Sequence, residues 1–184
     1  MRTTTVDVGQ LPASSSDDAP LVERLVAIVN DAYAAGEVGM WRDGAARVTS
    51  QGMRALIAAG EIVHAGIDGR TVGCVHLRRV DATTWAFGML ATDPAVQGGG
   101  IGRTLVDAAE SIAQSRGASR MQLELLVPTA QEQASKAALG AWYARRGYAI
   151  TTTRPFALDY PEIAGHLAVE CEYQVWHRSL AASA

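Results

Sequence analysis

The stretch Val96 to Thr104, V-Q-G-G-G-I-G-R-T, constrains this chain more than any other. Three consecutive glycines and a fourth at Gly102 strip the backbone of side-chain cover. A strand-like run, Thr84 to Thr92, precedes it, and an amphipathic helical pattern follows it to about Arg116. So bare a backbone can turn several N–H groups onto one anion, with the positive end of a helix behind them. An isolated G-G-G would be better read as a flexible turn. Between an apolar strand and an amphipathic helix, phosphate binding is the better reading. Two common phosphate loops do not fit. The pattern G-x-x-x-x-G-K-[ST] meets Gln97 where it needs glycine and Arg103 where it needs lysine. The dinucleotide fingerprint G-x-G-x-x-G puts its last glycine on Arg103 or on Leu105.

Around this loop the chain alternates apolar patterns. Thr3 to Val8 reads as a first strand, and the Ser- and Pro-rich segment to Pro20 as a loop. Leu21, Leu25, Ile28 and Val29 share one helical face, ending near Gly36. Thr49 or Ser50 can cap a second helix through Met53, Leu56 and Ile57, stopped by Gly60. Glu61–Ile67 and Arg70–Val80 read as strands, with the hairpin signal Asp68-Gly69 between them. A third strand ends at Ala91 or Thr92. The helix after the glycines buries Ile101, Leu105, Ala108, Ala109 and Ile112. Met121–Val127 is a short apolar strand, Ala130–Arg146 a helix, and Tyr148–Arg154 and Glu172–Arg178 two antiparallel strands. Pro155 to Glu170 between them reads as a long loop. The order β, α, α, β, β, β, α, β, α, β, β predicts an α/β fold. Its sheet is mixed and mainly antiparallel, with one central β-α-β unit.

The 184 residues suit one domain, spanning 1–184, with a real core. A net charge of −3 gives no reason to expect nucleic acid or an anionic membrane surface as a partner. Cys74 and Cys171 have no metal-ligand spacing and are too few for a disulfide framework. No metal is expected, and the thiols suit a reducing cytoplasm. There is no apolar run of about 18 residues for a membrane span, and Met1–Gln10 is too polar for a signal peptide.

Gln97-Gly98-Gly99-Gly100-Ile101-Gly102 follows the pattern Q-x-x-G-x-G after a strand ending Leu90-Ala91-Thr92-Asp93-Pro94. Ala141-Trp142-Tyr143-Ala144-Arg145-Arg146-Gly147-Tyr148 follows an aromatic-Tyr-x-x-x-Gly-aromatic pattern. Together they resemble the acetyl-coenzyme A loop and the catalytic tyrosine segment of the GNAT acetyltransferase superfamily. The resemblance covers roughly Glu61 to Tyr148 and implies a GNAT-like acyl-CoA N-acyltransferase fold. It implies acetyl-CoA as acyl donor, with Gln97, Gly98, Gly99, Gly100, Ile101, Gly102, Arg103 and Thr104 around its pyrophosphate. In the family, the strand before the loop splays from the strand after the next helix, and the pantetheine arm lies in the gap. The backbone of Leu90, Ala91 and Thr92 then lies along that arm. Leu90 or Ala91 N–H would face the thioester oxygen, where such donors stabilise an oxyanion. Tyr143 would protonate the departing thiolate, which a phenol neutral at pH 7 can do. Lys136 stands where family members often carry an asparagine contact to pantetheine, and would meet a phosphate instead. A homodimer is expected by resemblance only.

The general base is less legible. The family often keeps an ionisable side chain on the strand before the loop, and here the matching position is Ala86. Glu124 on the following strand is the leading side-chain candidate and His76 on the preceding strand the second, with a water relay that uses no single base weighed equally. Around the acceptor the resemblance places Tyr33, Trp41, Phe156 and Tyr160, with Glu37, Asp159 and Glu162 to attract a cationic amine. These residues would serve equally as packing aromatics and solvated loop charges. The leading function is acetyl transfer from acetyl-CoA to a primary amine, expected on a small molecule, by direct attack in a ternary complex. A protein N-terminal acetyltransferase and a non-catalytic acyl-CoA-binding module are the alternatives. A nucleotide-binding enzyme is disfavoured by the failed fingerprints.

Overall fold

The computed structural model describes residues 6–42 and 46–180. Seven strands form one sheet: β1 (Val6–Gln10), β2 (Ile62–Ile67), β3 (Arg70–Arg79), β4 (Thr84–Thr92), β5 (Arg120–Pro128), β6 (Ala149–Pro155) and β7 (Cys171–Ser179). Their spatial order is β1-β2-β3-β4-β5-β7-β6. Every pairing is antiparallel except β4 with β5. The expected mixed α/β sheet with one β-α-β unit is therefore present. The last strand, β7, inserts between β5 and β6. Of the expected first strand, Thr3 to Thr5 lie outside the described residues.

Alternation along the strands splits the core into two layers. Ile62 and Cys74 pack with Leu25, Ile28 and Val29 of α1 (Ala19–Gly36) and with Met53 and Ile57 of α2 (Ser50–Ala58). Val63, Val75 and Leu77 point the other way. They pack with Ile101, Leu105 and Ala109 of α3 (Ile101–Ser115) and Tyr143 of α4 (Ala134–Arg145). Asp18 caps α1 through the Leu21 N–H at 3.1 Å, and Thr49 caps α2 through the Gly52 N–H at 3.1 Å. The β2–β3 turn places Asp68 at φ 50° and Gly69 at φ 79°. Two positive φ values suit the turn that matches strand twist.

Two segments depart from the sequence expectation. Helix α4 begins at Ala134 rather than Ala130, because the Thr129 N–H is held by the Glu170 carbonyl at 3.0 Å. That tertiary bond outweighs the local helical pattern. The late loop is built of two short helices, α5 (Phe156–Asp159) and α6 (Pro161–Ala164). It is pinned to the segment after α1 by a bridge between Trp41 and Leu167. Arg42 N–H to His166 O at 2.8 Å and Ala168 N–H to Met40 O at 2.9 Å complete the clasp.

Candidate active site

The parallel pairing of β4 and β5 covers only Thr84–Phe87 against Arg120–Leu123. Beyond it the strands part, although β4 continues to Thr92 and β5 to Pro128. A bulge lies at the parting. On β3, His76 pairs with Gly88 and Cys74 with Ala91, so Met89 and Leu90 face Val75 alone. Met89 has φ 48°, in the left-handed region that a side chain disfavours. Bulges of this kind re-aim a strand's groups and end its pairing. Leu90 lines the resulting cavity, whereas Ala91 and Thr92 stay paired with Cys74 and Gly73.

The glycine loop begins where β4 ends. Asp93 turns the chain by accepting the Ala95 N–H at 2.9 Å. Its other oxygen takes Arg24 of α1, with Arg70 of β3 at 3.5 Å. The Ala95 N–H, followed by Arg24, holds the Asp93 carboxyl below its ordinary pKa. Gly98 (φ 82°) and Gly100 (φ 80°) then adopt left-handed conformations, and Gly100 caps α3. Gly99 N–H returns to Val96 O at 3.2 Å, and the Thr104 N–H and hydroxyl return to Gly100 O. Among the described residues, the N–H groups of Gly98, Gly100, Ile101, Gly102 and Arg103 have no acceptor. They form a cluster of donors at the start of a fifteen-residue helix. This arrangement fits a pyrophosphate, and the parted strands fit a pantetheine arm leading inward from it. The side chains of Gln97 and Arg103 are solvent-exposed.

A cavity of about 690 Å³ occupies the opening between β4 and β5. Tyr143 enters it from α4. Its ring is buried against Phe87 and Tyr148, each at 5.9 Å between centroids, and against Trp142 at 5.0 Å. No acceptor or donor among the described residues engages its hydroxyl. Burial first, and then the nearby Tyr33, raise its pKa well above the ordinary phenol value, so the proton stays on.

Across the sheet, Glu124 also faces the cavity, and donors crowd it. Tyr173 OH donates to Oε2 at 2.5 Å and Gln122 Nε2 to Oε1 at 2.8 Å. Arg78 Nη2 stands 3.6 Å from Oε1. The second candidate, His76, directs Nε2 at the Glu61 carboxylate, 2.8 Å away, and leaves Nδ1 without a partner among the described residues. Ala86 lies between Arg78 of β3 and Gln122 of β5, so a guanidinium and a neutral amide flank the position where an ionisable side chain was expected.

Other expected residues are placed differently. Lys136 does not reach the glycine loop as a phosphate contact. Its ammonium is buried against Glu37 Oε1 at 2.6 Å, because α4 packs that side chain onto the end of α1. The same bond corrects the reading of Glu37 as a free attractor for a cationic amine; its second oxygen accepts the Trp41 N–H at 2.5 Å. Asp159 is taken by Arg154 at 2.5 Å. Glu162 is exposed on α6 and does not line the cavity. Tyr33, Phe156 and Tyr160 do line it; Trp41 packs edge-on against Phe156 at 5.9 Å. Sequence reasoning missed Arg47, Arg78 and Tyr173 on the cavity wall and Glu61 behind His76. The alternation of Cys74, His76 and Arg78 on one strand face was the available signal for Arg78. Both cysteines are buried and free, and no helix among the described residues is long and apolar enough to cross a membrane.

A family model described as an acetyltransferase (GNAT) domain matches residues 58–150. The mycothiol acetyltransferase of Beutenbergia cavernae is 37% identical over 62 residues, which cover 34% of this chain and 21% of that one. The N-acetylglutamate synthase from Neisseria gonorrhoeae, solved with coenzyme A and N-acetyl-glutamate, superposes with a TM-score of 0.64 at 21% identity. The match covers 98% of this chain and 36% of that one. The PaiA N-acetyltransferase from Thermoplasma acidophilum, solved with coenzyme A, gives 0.70 at 13% identity over 96% and 99% of the two chains. The chain thus spans about a third of the length of the synthase, and its match to the mycothiol enzyme about a fifth of that protein. At these identities the two solved structures establish the shared fold.

Proposed function

The chain belongs to the acetyltransferase (GNAT) family, and from that premise we propose that it transfers the acetyl group of acetyl-CoA to a primary amine of a small molecule. The observation that carries the reading is the cluster of N–H groups at Gly98 and at Gly100 to Arg103, without acceptors among the described residues, at the mouth of a gap between two parted strands. Gln97 to Thr104 would hold the pyrophosphate, and the bulged strand at Leu90, continuing through Ala91 and Thr92, would line the arm. The bound thioester supplies the electrophilic acetyl carbon. The chain supplies the rest. Its glycine-loop amides and helix end bind anionic oxygens. Met89 and Leu90 hold backbone groups at a point where oxygen charge can be met. Tyr143 keeps a proton in a buried place and can give it to a leaving sulfur. For the amine's proton we assign His76. Its free Nδ1 is an available lone pair and Glu61 fixes the ring, whereas both Glu124 oxygens already accept donors. Glu124 then positions Tyr173 and Arg78. Lys136 ties α4 to α1 and keeps Tyr143 in register. Residues 1–184 act as one such domain, and a homodimer and a cytoplasmic setting are consistent with it.

The test uses Gly102. A Cβ there meets nothing within 4 Å and the backbone is helical, so Gly102→Leu leaves folding intact and obstructs only what approaches the loop. Gly100→Val would add left-handed strain and confuse the result. Calorimetric titration with acetyl-CoA should show affinity reduced by roughly 10-fold or more, the scale of one lost charge-assisted contact. Unchanged affinity would remove the loop from the site.

A further inference from the structure

The acceptor half of the cavity has a charge pattern that narrows its substrate, given the acetyltransferase reading above. The acidic and basic side chains on its wall are Glu37, Arg47, His76, Arg78, Glu124 and Lys136. Both carboxylates are occupied. Glu37 holds Lys136 and Trp41, and Glu124 holds Tyr173 and Gln122. The arginines are not matched in the same way. Arg78 touches Glu124 only at 3.6 Å, too far for a good hydrogen bond, and among the described residues its guanidinium has no hydrogen-bond acceptor. Arg47 stands over the Tyr33 ring at 4.7 Å, with no carboxylate partner among the described residues. A polycationic acceptor would find two arginines and no free carboxylate here. An anionic group would find a planar fork of donors.

We propose that the acceptor is a small amine that also carries a carboxylate, which Arg78 binds, while Phe156, Tyr160 and Tyr173 pack its apolar part. The geometry suits a molecule of amino-acid size. His76 and Arg78 are two residues apart on one face of β3, roughly 7 Å between Cα atoms. An amine at the histidine and a carboxylate at the long arginine fall within that span. Arg78 pairs with Ala86, whose methyl leaves the guanidinium open to the cavity. The aromatic wall is continuous: Phe156 stacks on Tyr160 at 5.1 Å, and Tyr160 meets Tyr173 edge-on at 5.3 Å. The Tyr160 and Tyr173 hydroxyls are 3.1 Å apart and lead to Glu124, so the wall is apolar in its rings and satisfied at its polar tips.

The experiment is calorimetry on the full chain saturated with coenzyme A, alongside a thiol-release assay with acetyl-CoA. The probes are phenylalanine and leucine, each with its carboxamide and its decarboxylated amine, and spermidine as a polycation. At least one free acid should bind about 10-fold tighter than its amide and amine, the worth of a charge-assisted pair. Arg78→Gln should abolish that preference and Arg78→Lys should restore part of it, which separates loss of charge from loss of fold. Equal binding of acid and amide, tighter binding of spermidine, an unaltered preference in Arg78→Gln, or no binding by either acid would overturn the proposal. Thiol release with decarboxylated amines alone overturns the carboxylate and leaves acetyl transfer standing. Tight binding of an acid, with no thiol release from any amine, supports the carboxylate site and overturns the transferase reading instead.

Discussion

Tyr143 combines a buried ring with a hydroxyl that no neighbour among the described residues engages. A core tyrosine ordinarily satisfies its hydroxyl. Tyr148, beyond the end of α4, does so by donating to Glu110 at 2.7 Å. The contrast argues that Tyr143 keeps its proton for something that enters the cavity. Tyr143→Phe should therefore leave the Tm and acetyl-CoA affinity nearly unchanged and lower single-turnover acetylation roughly 10²-fold. A wild-type rate would make Tyr143 a packing residue. The same assay divides the two base candidates. His76→Gln should cost roughly 10²-fold, and Glu124→Gln, which keeps an acceptor for Tyr173, markedly less. The reverse order would return the role to Glu124.

At the scale of the element, the site is a strand that changes its behaviour partway along. The first half of β4 pairs on both sides. Its second half bulges at Met89 and is followed by Asp93, where a carboxylate stitches the loop to α1 and β3. Asp93 has a folded pKa below the unfolded value of about 3.9. Its charge therefore stabilises the fold fully above that unfolded value, and the contribution is lost as pH falls through the folded one. Asp93→Asn keeps an oxygen for the Ala95 N–H but loses the charge. Wild type should be more stable than the variant near neutral pH, and the gap should close on acidification below about pH 4. Urea unfolding midpoints across that range check it. A gap that widened in acid would mean Asp93 is not the linked group.

Across the whole molecule, a buried carboxylate joins elements that the sequence separates widely. Glu110 of α3 accepts from Tyr148, from Arg178 of β7 at 2.7 Å and from Arg146 at 3.3 Å. It locks α3, the end of α4 and the strand inserted beside β5. Glu110→Ala would leave two arginines and a phenol short of an acceptor. We expect a loss of about 2 kcal/mol, or a Tm lower by roughly 4–8 °C for a chain of this size. Differential scanning calorimetry reads it directly, and an unchanged Tm would show that water replaces the carboxylate without cost.

Local patterns in the sequence were enough for most elements, the bend at Asp68-Gly69 and the bare glycine loop before α3, because these depend on neighbours along the chain. The family resemblance brought out Tyr143, and Glu124 and His76 stood out as ionisable residues on the strands beside the one that precedes the glycine loop. Three things depended on tertiary structure. Which carboxylates are free cannot be read from composition: Glu37 looks like an attractor for amines until α4 sets Lys136 against it. The start of α4 depends on a carbonyl at Glu170, 41 positions from Thr129. Arg78 lines a cavity that opens where β4 and β5 part beyond Phe87, beside a bulge at a methionine, and no local pattern marks that parting. Sequence periodicity encodes which way a side chain leaves its own backbone. What meets it there is set by how distant segments pack.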